Sequence, residues 1–264
     1  MKTLQSLNFK NKRALIRVDF NVPLNAQFEV LDSTRIVSAK PTIMKVLEDG
    51  GSCILMSHLG RPKSKEPEFS LQHIVSALET VLGVDVLFSS SCIGDDVKKS
   101  CENLNPGQII LLENLRYHPE EISGDISFAE ELSKLGDFYI NDAFGTAHRA
   151  HASTTIIANF FPQNKCFGKL LAQEIESIER VMETGEKPVL AILGGAKVSS
   201  KITIIDNILD KVDHLIIGGG MTFTFVKAQG GFVGDSICED DKLELALQIL
   251  ERAKAKNVQV HIPI

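Results

Sequence analysis

Four arginines in distinctive short contexts lie within the first 150 residues: Arg35 in STRI, Arg61 in SHLGRP, Arg116 in ENLRYHPEE and Arg149 in GTAHRAH. A guanidinium is planar, stays charged at any working pH and donates paired hydrogen bonds, so it suits phosphate and carboxylate. Each context follows an apolar or β-branched run, or opens a helical pattern, and an open α/β sheet gathers its ligand-binding loops at such places. The chain has eight arginines in all and a net charge of −6. Against that acidic background a cationic cluster would focus a small, strongly anionic phosphorylated molecule into a cleft.

Two further constellations carry chemistry. RVDFNVP places Asp19 and Asn21 just past a strand, two residues apart and therefore on one side of an extended backbone. They could bind the hydroxyl and carboxyl of a small organic acid, or simply close the strand in a turn. In GGAKVSSKI, Gly194 and Gly195 end a strand and let backbone amides approach an anion, while the helix expected to follow would offer its positive end. Lys197 and Lys201 are four apart and would share one face of that helix, within reach of the same phosphate chain; without the glycines they would read as two solvated lysines. No GxxxxGK[ST] occurs, and neither glycine cluster reads GxGxxG, so a P-loop is excluded and a nicotinamide site has little support.

Composition narrows the classes. A hydrophobic content of 44% with 23% charged residues is that of an ordinary globular chain, and a pI near 5.7 argues against a general nucleic-acid surface. Five cysteines, at 53, 92, 101, 166 and 238, form no CxxC pair and read as reduced, buried fillers in a cytosolic protein. There is no secretion signal in MKTLQSLNFKNKR and no run of eighteen apolar residues, so a membrane role is not expected.

The elements that must position these residues alternate along the chain. Strands are expected at 14–20, 52–57, 84–89, 108–113 and 137–142, with helices over 34–50, 70–83, 94–104 and 126–135. Pro41 should break or kink the first helix. A charged helix over 169–185 precedes a second series, with strands at 188–195, 213–220 and 258–264 and helices from 197, 221 and 242. Apolar strands separated by amphipathic helices predict an α/β fold with mostly parallel sheets covered on both faces.

In their order and wording, RVDFNVP, DSTRI, SHLGRP, LLENLRYHPEE, YINDAFGTAHRAHAST, LAILGGAKVSSKI and IIGGGMTFTF closely resemble phosphoglycerate kinase, from about residue 13 to the end of the chain. The resemblance implies two Rossmann-like three-layer αβα domains: a 3-phosphoglycerate-binding domain over 1–168, a connecting helix or hinge over 169–186, and a nucleotide-binding domain over 187–264, incomplete in this chain. It implies the glycolytic enzyme that reversibly transfers the acyl phosphate of 1,3-bisphosphoglycerate to MgADP, giving 3-phosphoglycerate and MgATP. Asp19, Asn21, Arg35, His58, Arg61, Arg116 and Arg149 would form the substrate site, with Arg61, Arg116, Arg149 and His58 on the non-transferred phosphate. Arg35 and Lys197 would act on the phosphoryl group in flight. Gly194, Gly195, Lys197 and Lys201 would hold nucleotide phosphates, and Gly218, Gly219 and Gly220 would leave room for adenine or, alternatively, form a tight turn. His148 and His151, flanking Arg149, read as structural supports.

The resemblance also implies Mg2+ carried on the nucleotide with no protein ligand identified, a cytoplasmic location, small-molecule partners and no nucleic acid or membrane, and a monomer when full length. Family members continue past residue 264, through an acidic residue on the ribose and a Gly-Gly-Asp-Thr segment, so the chain is expected to be a fragment or a truncation. Such a chain would fold its first domain and bind 3-phosphoglycerate but turn over poorly or not at all. The rival expectations are a non-catalytic 3-phosphoglycerate-binding fragment and a dehydrogenase-type enzyme that binds NAD.

Overall fold

A computed structural model describes residues 3–263; Ile264, the last residue of the expected final strand, lies outside the described residues, as do Met1 and Lys2. The chain divides into two compact units, Met1–Ile175 and Glu176–Ile264.

The first unit runs β1 (Arg13–Val18), α1 (Thr34–Glu48), β2 (Ser52–Met56), α2 (Val75–Leu82), β3 (Val86–Ser89), α3 (Asp95–Glu102) and β4 (Ile109–Leu112). It continues through α4 (Pro119–Ser123), α5 (Ile126–Ser133), β5 (Phe138–Asp142) and β6 (Lys165–Phe167) into α6 (Lys169–Thr184), inside which the division between the units falls. All pairings are parallel, in the order β3-β4-β2-β1-β5-β6.

Alternation along the strands sends successive side chains to opposite faces. Ala14, Ile16, Cys53, Leu55, Ile109 and Leu111 pack with Ile36, Ile43 and Leu78 of α1 and α2. Their neighbours Leu15, Ile54, Met56, Ile110 and Leu112 pack with Val97, Phe128 and Leu132 of α3 and α5. Both faces of the central strands are therefore covered, and β1, β2 and β4 read as continuous apolar runs, whereas edge strand β3 exposes Leu87.

Some expectations need correction. α1 is not broken at Pro41, whose ring is exposed while Ile36, Ala39, Thr42, Ile43 and Val46 bury the opposite side. That burial offsets the one backbone hydrogen bond the proline forfeits. The stretch 70–83 splits into a 3-10 turn, Leu71–Ile74, and α2, which ends on Gly83 in the left-handed conformation at φ 79°. Of the five cysteines, 53, 92, 101 and 166 are buried and Cys238 is half-buried; none is in a disulfide.

The second unit holds β7 (Leu190–Gly194), α7 (Ile202–Ile208), β8 (His214–Gly218), α8 (Met221–Ala228), α9 (Leu243–Ala255) and β9 (Gln259–His261), with parallel order β7-β8-β9. Its core joins Leu215 and Ile217 to Ile205, Met221, Phe225, Ile249 and Ala253. Among the described residues this sheet is covered on one face only. The other presents Leu190 at 51% and Ile192 at 67% exposure.

The helix expected from residue 197 begins only at Ile202. Residues 199–201 form a turn instead, because Ser199 donates from its amide and its hydroxyl to Glu239 (3.1 and 2.6 Å) and the Lys201 amide bonds Val198 O (2.8 Å). Lys197 and Lys201 therefore do not share a helix face.

Candidate active site

The candidate substrate residues sit at the carboxyl ends of four parallel strands. Asp19 and Asn21 follow β1, His58 and Arg61 follow β2, Arg116 follows β4, Arg149 follows β5, and Arg35 is the second residue of α1. The strand order changes direction at β1, between β2 and β5, which is where an open parallel sheet leaves a crevice. All seven residues line one cavity of about 300 Å³ there, with Gly60, Gly145 and Thr146 completing its wall.

Local hydrogen bonds explain how loops from distant sequence hold these side chains. Asn114, fully buried, accepts from the Arg116 amide (3.0 Å) and donates to Leu59 O and Phe69 O (both 2.8 Å), clamping the loop after β4 onto the loop after β2. Glu113 beside it accepts from Ser70 Oγ (2.7 Å) and the Leu71 amide (2.9 Å), so the Glu-Asn pair of the LLENLR motif is scaffold for the arginine that follows. Asn21 Oδ1 accepts from the Gly60 amide (2.8 Å), and Arg116 Nη1 donates to Gly60 O (2.6 Å). Gly60 itself has φ +62°, and a Cβ there would strike the Phe69 ring at 2.3 Å. Gly145 lets the chain pass Asp19, whose carboxylate would lie 2.9 Å from any Cβ at that position.

The electrostatics report convergence. Burial and the charges of Arg149, Arg17 and Arg61 hold the Arg116 guanidinium below its ordinary range, against the pull of Glu121. His58 is pushed down to about 2 by burial and then by Arg17, Arg116, Arg35 and His151, so it is neutral at any physiological pH. Arg35 donates from Nη1 to Asp19 Oδ2, and Arg149 Nε donates to His148 Nε2 (3.1 Å). His148 is exposed beside Arg149, whereas His151 is buried with Nδ1 3.8 Å from Glu121 Oε1. Such a cavity can take a small dianion by charge-assisted hydrogen bonds and a second polar group at Asp19 and Asn21.

Several residues that build this site are not among those the motifs single out. Arg17 sits buried on β1 behind His58, and Glu121 and Ser153 are buried behind Arg17. The signal for Arg17 is a charge inside ALIRVDF, a run whose position in a covered strand leaves no route to water. Glu121 and Ser153 lie inside LLENLRYHPEE and YINDAFGTAHRAHAST, but nothing local in those strings marks them as partners of each other.

In the second unit, Gly194 and Gly218 are register partners at the ends of β7 and β8. Gly219, at φ +71°, brings the backbone so near Gly195 that a Cβ would lie 2.9 Å from its carbonyl oxygen; Gly220 packs on Ala196, and the Met221 amide bonds Gly195 O (2.8 Å). The Lys201 side chain runs past Gly195, its Cε 3.3 Å from where a Cβ would stand, while Lys197 is exposed. Adjoining this, an apolar cavity of about 830 Å³ is lined by Gly219, Thr222, Phe223, Val226, Phe232, Val233, Gly234 and Pro263. Glycines thus set two backbone strands close beside a lysine and an apolar recess, a combination that suits a phosphate chain carrying a flat ring.

Comparison with known proteins agrees on one family. The sequence model described as phosphoglycerate kinase matches residues 4–264. The phosphoglycerate kinases of Porphyromonas gingivalis and Chlorobium phaeovibrioides are 48% and 50% identical to the chain, covering 99% of it and 68% and 66% of their own lengths. Among solved structures, phosphoglycerate kinase from Coxiella burnetii superposes with a TM-score of 0.84 at 40% identity, and that from Pyrococcus horikoshii with 0.84 at 27%. Both alignments cover 100% of this chain and 66% and 67% of theirs, so the chain spans about two thirds of the length of its relatives. A parallel sheet ending in a cavity of convergent arginines, matched along nearly its whole sequence, belongs to the phosphoglycerate kinase family.

Proposed function

We propose that the first unit binds 3-phosphoglycerate and 1,3-bisphosphoglycerate, and that the second binds ADP and ATP. The activity is reversible phosphoryl transfer from the acyl phosphate of 1,3-bisphosphoglycerate to ADP, in the cytoplasmic glycolytic route. The functional division assigns substrate to 1–168, connection to 169–186 and nucleotide to 187–264. The observation that supports it most is the single cavity shared by Arg35, Arg61, Arg116, Arg149, His58, Asp19 and Asn21.

In this reading Arg61, Arg116 and Arg149 hold the non-transferred phosphate, with neutral His58 as a further donor. Asp19 and Asn21 take the glycerate hydroxyl and neighbouring oxygens. A β-phosphate oxygen of ADP attacks the acyl phosphorus; the new P–O bond forms as the bond to the carboxyl oxygen breaks, and the electron pair leaves on the carboxylate. No proton moves, because the attacking oxygen is already an anion. The protein's work is positioning and neutralising charge on the equatorial oxygens. Arg35 and Lys197 supply that charge, and each preorganised donor is typically worth about 3 kcal/mol. Gly194, Gly195, Lys197 and Lys201 serve the phosphates, and Gly218, Gly219 and Gly220 border the recess for adenine.

Magnesium would enter bound to the nucleotide phosphates. Among the described residues no group of three or more His, Cys, Asp or Glu could hold a metal, and Glu239, which accepts from Ser199, is already engaged. The transfer is derived from side chains and backbone alone.

Calorimetry on the 264-residue chain with 3-phosphoglycerate tests the reading directly. Saturable binding that Arg116→Ala weakens supports it, and no binding refutes it. A coupled ATP assay on the same chain separates a working kinase from a non-catalytic binding fragment.

A further inference from the structure

Two buried charges have no part in the phosphoryl transfer. Arg17 is 1% exposed and Glu121 is 1% exposed, and neither lines the cavity. Their hydrogen bonds join into one chain. Arg17 Nε donates to Ser153 Oγ (2.9 Å), Nη1 donates to Val18 O, and Nη2 lies 3.2 Å from His58 Nδ1. Ser153 passes the line on, its hydroxyl 2.6 Å from Glu121 Oε1 and its amide 2.9 Å from Oε2. Tyr139 Oη fixes the far side by donating to Ser153 O (2.8 Å).

Donor and acceptor rules leave this chain one direction. A guanidinium only donates, so Ser153 Oγ must accept from Arg17 and send its single proton to Glu121, an acceptor-only carboxylate. By the same rule His58 Nδ1 must accept from Arg17 Nη2. An imidazole whose Nδ1 is an acceptor is neutral and carries its proton on Nε2. Nε2 is then the ring nitrogen left to serve the cavity that His58 lines.

We propose that Arg17, held by Ser153 and Glu121, is a positioning residue that fixes His58 as the Nε2-protonated tautomer, so that His58 meets a bound anion as a neutral hydrogen-bond donor and never as an added cation. The inference rests on the reading of that cavity as the phosphoglycerate site. The groups facing His58 reinforce it from every side: Arg17 on β1, Arg35 on α1, Arg116 after β4 and His151 after β5 all oppose a positive ring. Of the carboxylates about the site, Glu121 is engaged with Ser153 and Asp19, which lines the same cavity, with Arg35. The cavity is thereby kept at a constant charge on the His58 side across physiological pH.

The test is nitrogen NMR on the 15N-histidine-labelled chain, which identifies the protonated ring nitrogen without any ligand. His58 is expected neutral with its proton on Nε2 from about pH 8 to about pH 5, well through the range where a free histidine titrates. A proton on Nδ1, or a titration near the ordinary value of about 6.5, overturns the proposal. Ser153→Ala, which keeps Arg17 and removes the hydroxyl that holds it, should give mixed tautomers; an unchanged spectrum also overturns it. Sulfate, a dianion throughout this range, is the binding probe. Its affinity should change less than about twofold between pH 8 and pH 6 in the parent chain, and a rise of about tenfold or more on acidification would mean that the ring gains charge and overturns the proposal. If the parent chain binds neither sulfate nor 3-phosphoglycerate while His58 shows the Nε2 proton, the substrate reading fails and the tautomer inference stands. If the chain binds 3-phosphoglycerate but His58 carries the wrong tautomer, the substrate reading stands and the tautomer inference fails.

Discussion

In the proposed reading the two units meet the same demand, an anion held at the end of a parallel sheet, with different materials. In the first, a six-stranded sheet whose central strands are covered on both faces carries charged side chains out of four strand ends, and buried polar residues such as Asn114, Glu113, Arg17 and Glu121 hold those loops. In the second, three strands are covered on one face, and the candidate site is mostly backbone, made by Gly195, Gly219 and Gly220 approaching one another. A side-chain site needs a thick scaffold, because each buried polar group must find its partners. A backbone site needs only the absence of Cβ atoms, so it fits on a thinner support.

The sharpest way to break this contrast is through the cores. Phe225→Ala, at a fully buried position, should cost about 3–5 kcal/mol, a large fraction of what so small a unit can hold in reserve. Hydrogen exchange should show α8 and the β7-β8-β9 sheet losing protection, while 3-phosphoglycerate binding by the first unit persists. Loss of that binding as well would show that the units do not fold independently.

Next in size is the arginine-lined cavity proposed for substrate. Arg116→Ala removes charge-assisted bonds worth about 1.5–3 kcal/mol, so 3-phosphoglycerate affinity should fall about 10- to 150-fold. The same measurement on Lys197→Ala should leave 3-phosphoglycerate affinity within about twofold, since Lys197 belongs to the other unit.

Acid should distinguish the units too. His58 is held down to about 2 by burial and neighbouring arginines, whereas an unfolded histidine titrates near 6.5. Between those values the unfolded chain binds a proton that the folded one refuses, so acidification lowers stability, by about 1.4 kcal/mol per pH unit below about 6.5. His118 and His151, also pushed down chiefly by burial, add to the same slope. The second unit has its two histidines, His214 and His261, on its open sheet face. Urea melts from pH 7 to pH 5 followed by probes in each unit should show the first losing stability more steeply, and His58→Gln should flatten its slope.

The smallest effect is expected on that open face. Ile192→Thr, at 67% exposure, should change stability by no more than about 0.5 kcal/mol, whereas Leu55→Ala in the first sheet should cost about 2–5 kcal/mol. Comparable costs at the two positions would mean that the second sheet is not open in solution.

How far the sequence can be read follows the same division. The strands of the first unit are legible because burial on both faces leaves uninterrupted apolar runs, and the arginines because their contexts are local strings. Arg17 belongs to such a run, yet its role is hidden, since its partners Ser153 and Glu121 lie 136 and 104 positions away. The turn at 199–201 looks like helix for a similar reason. Val198, Ile202 and Ile205 keep helical spacing, and only the bonds from Ser199 to Glu239, forty residues on, show why the helix waits until Ile202. β6, three residues long, offers no periodicity to find. Local patterns specify elements; the hydrogen bonds that join distant loops specify the site, and those have no local signature.

The cysteines give the two units an experimental handle. Four thiols are sealed in the first unit, where burial suppresses their ionisation, while Cys238 alone in the second is half-buried beside Asp240. Its thiol is also held up, so alkylation will be slow at neutral pH and faster in mild alkali. A fluorophore coupled under those conditions would mark one half of the chain without mutagenesis, and would watch it unfold while the other half stays dark.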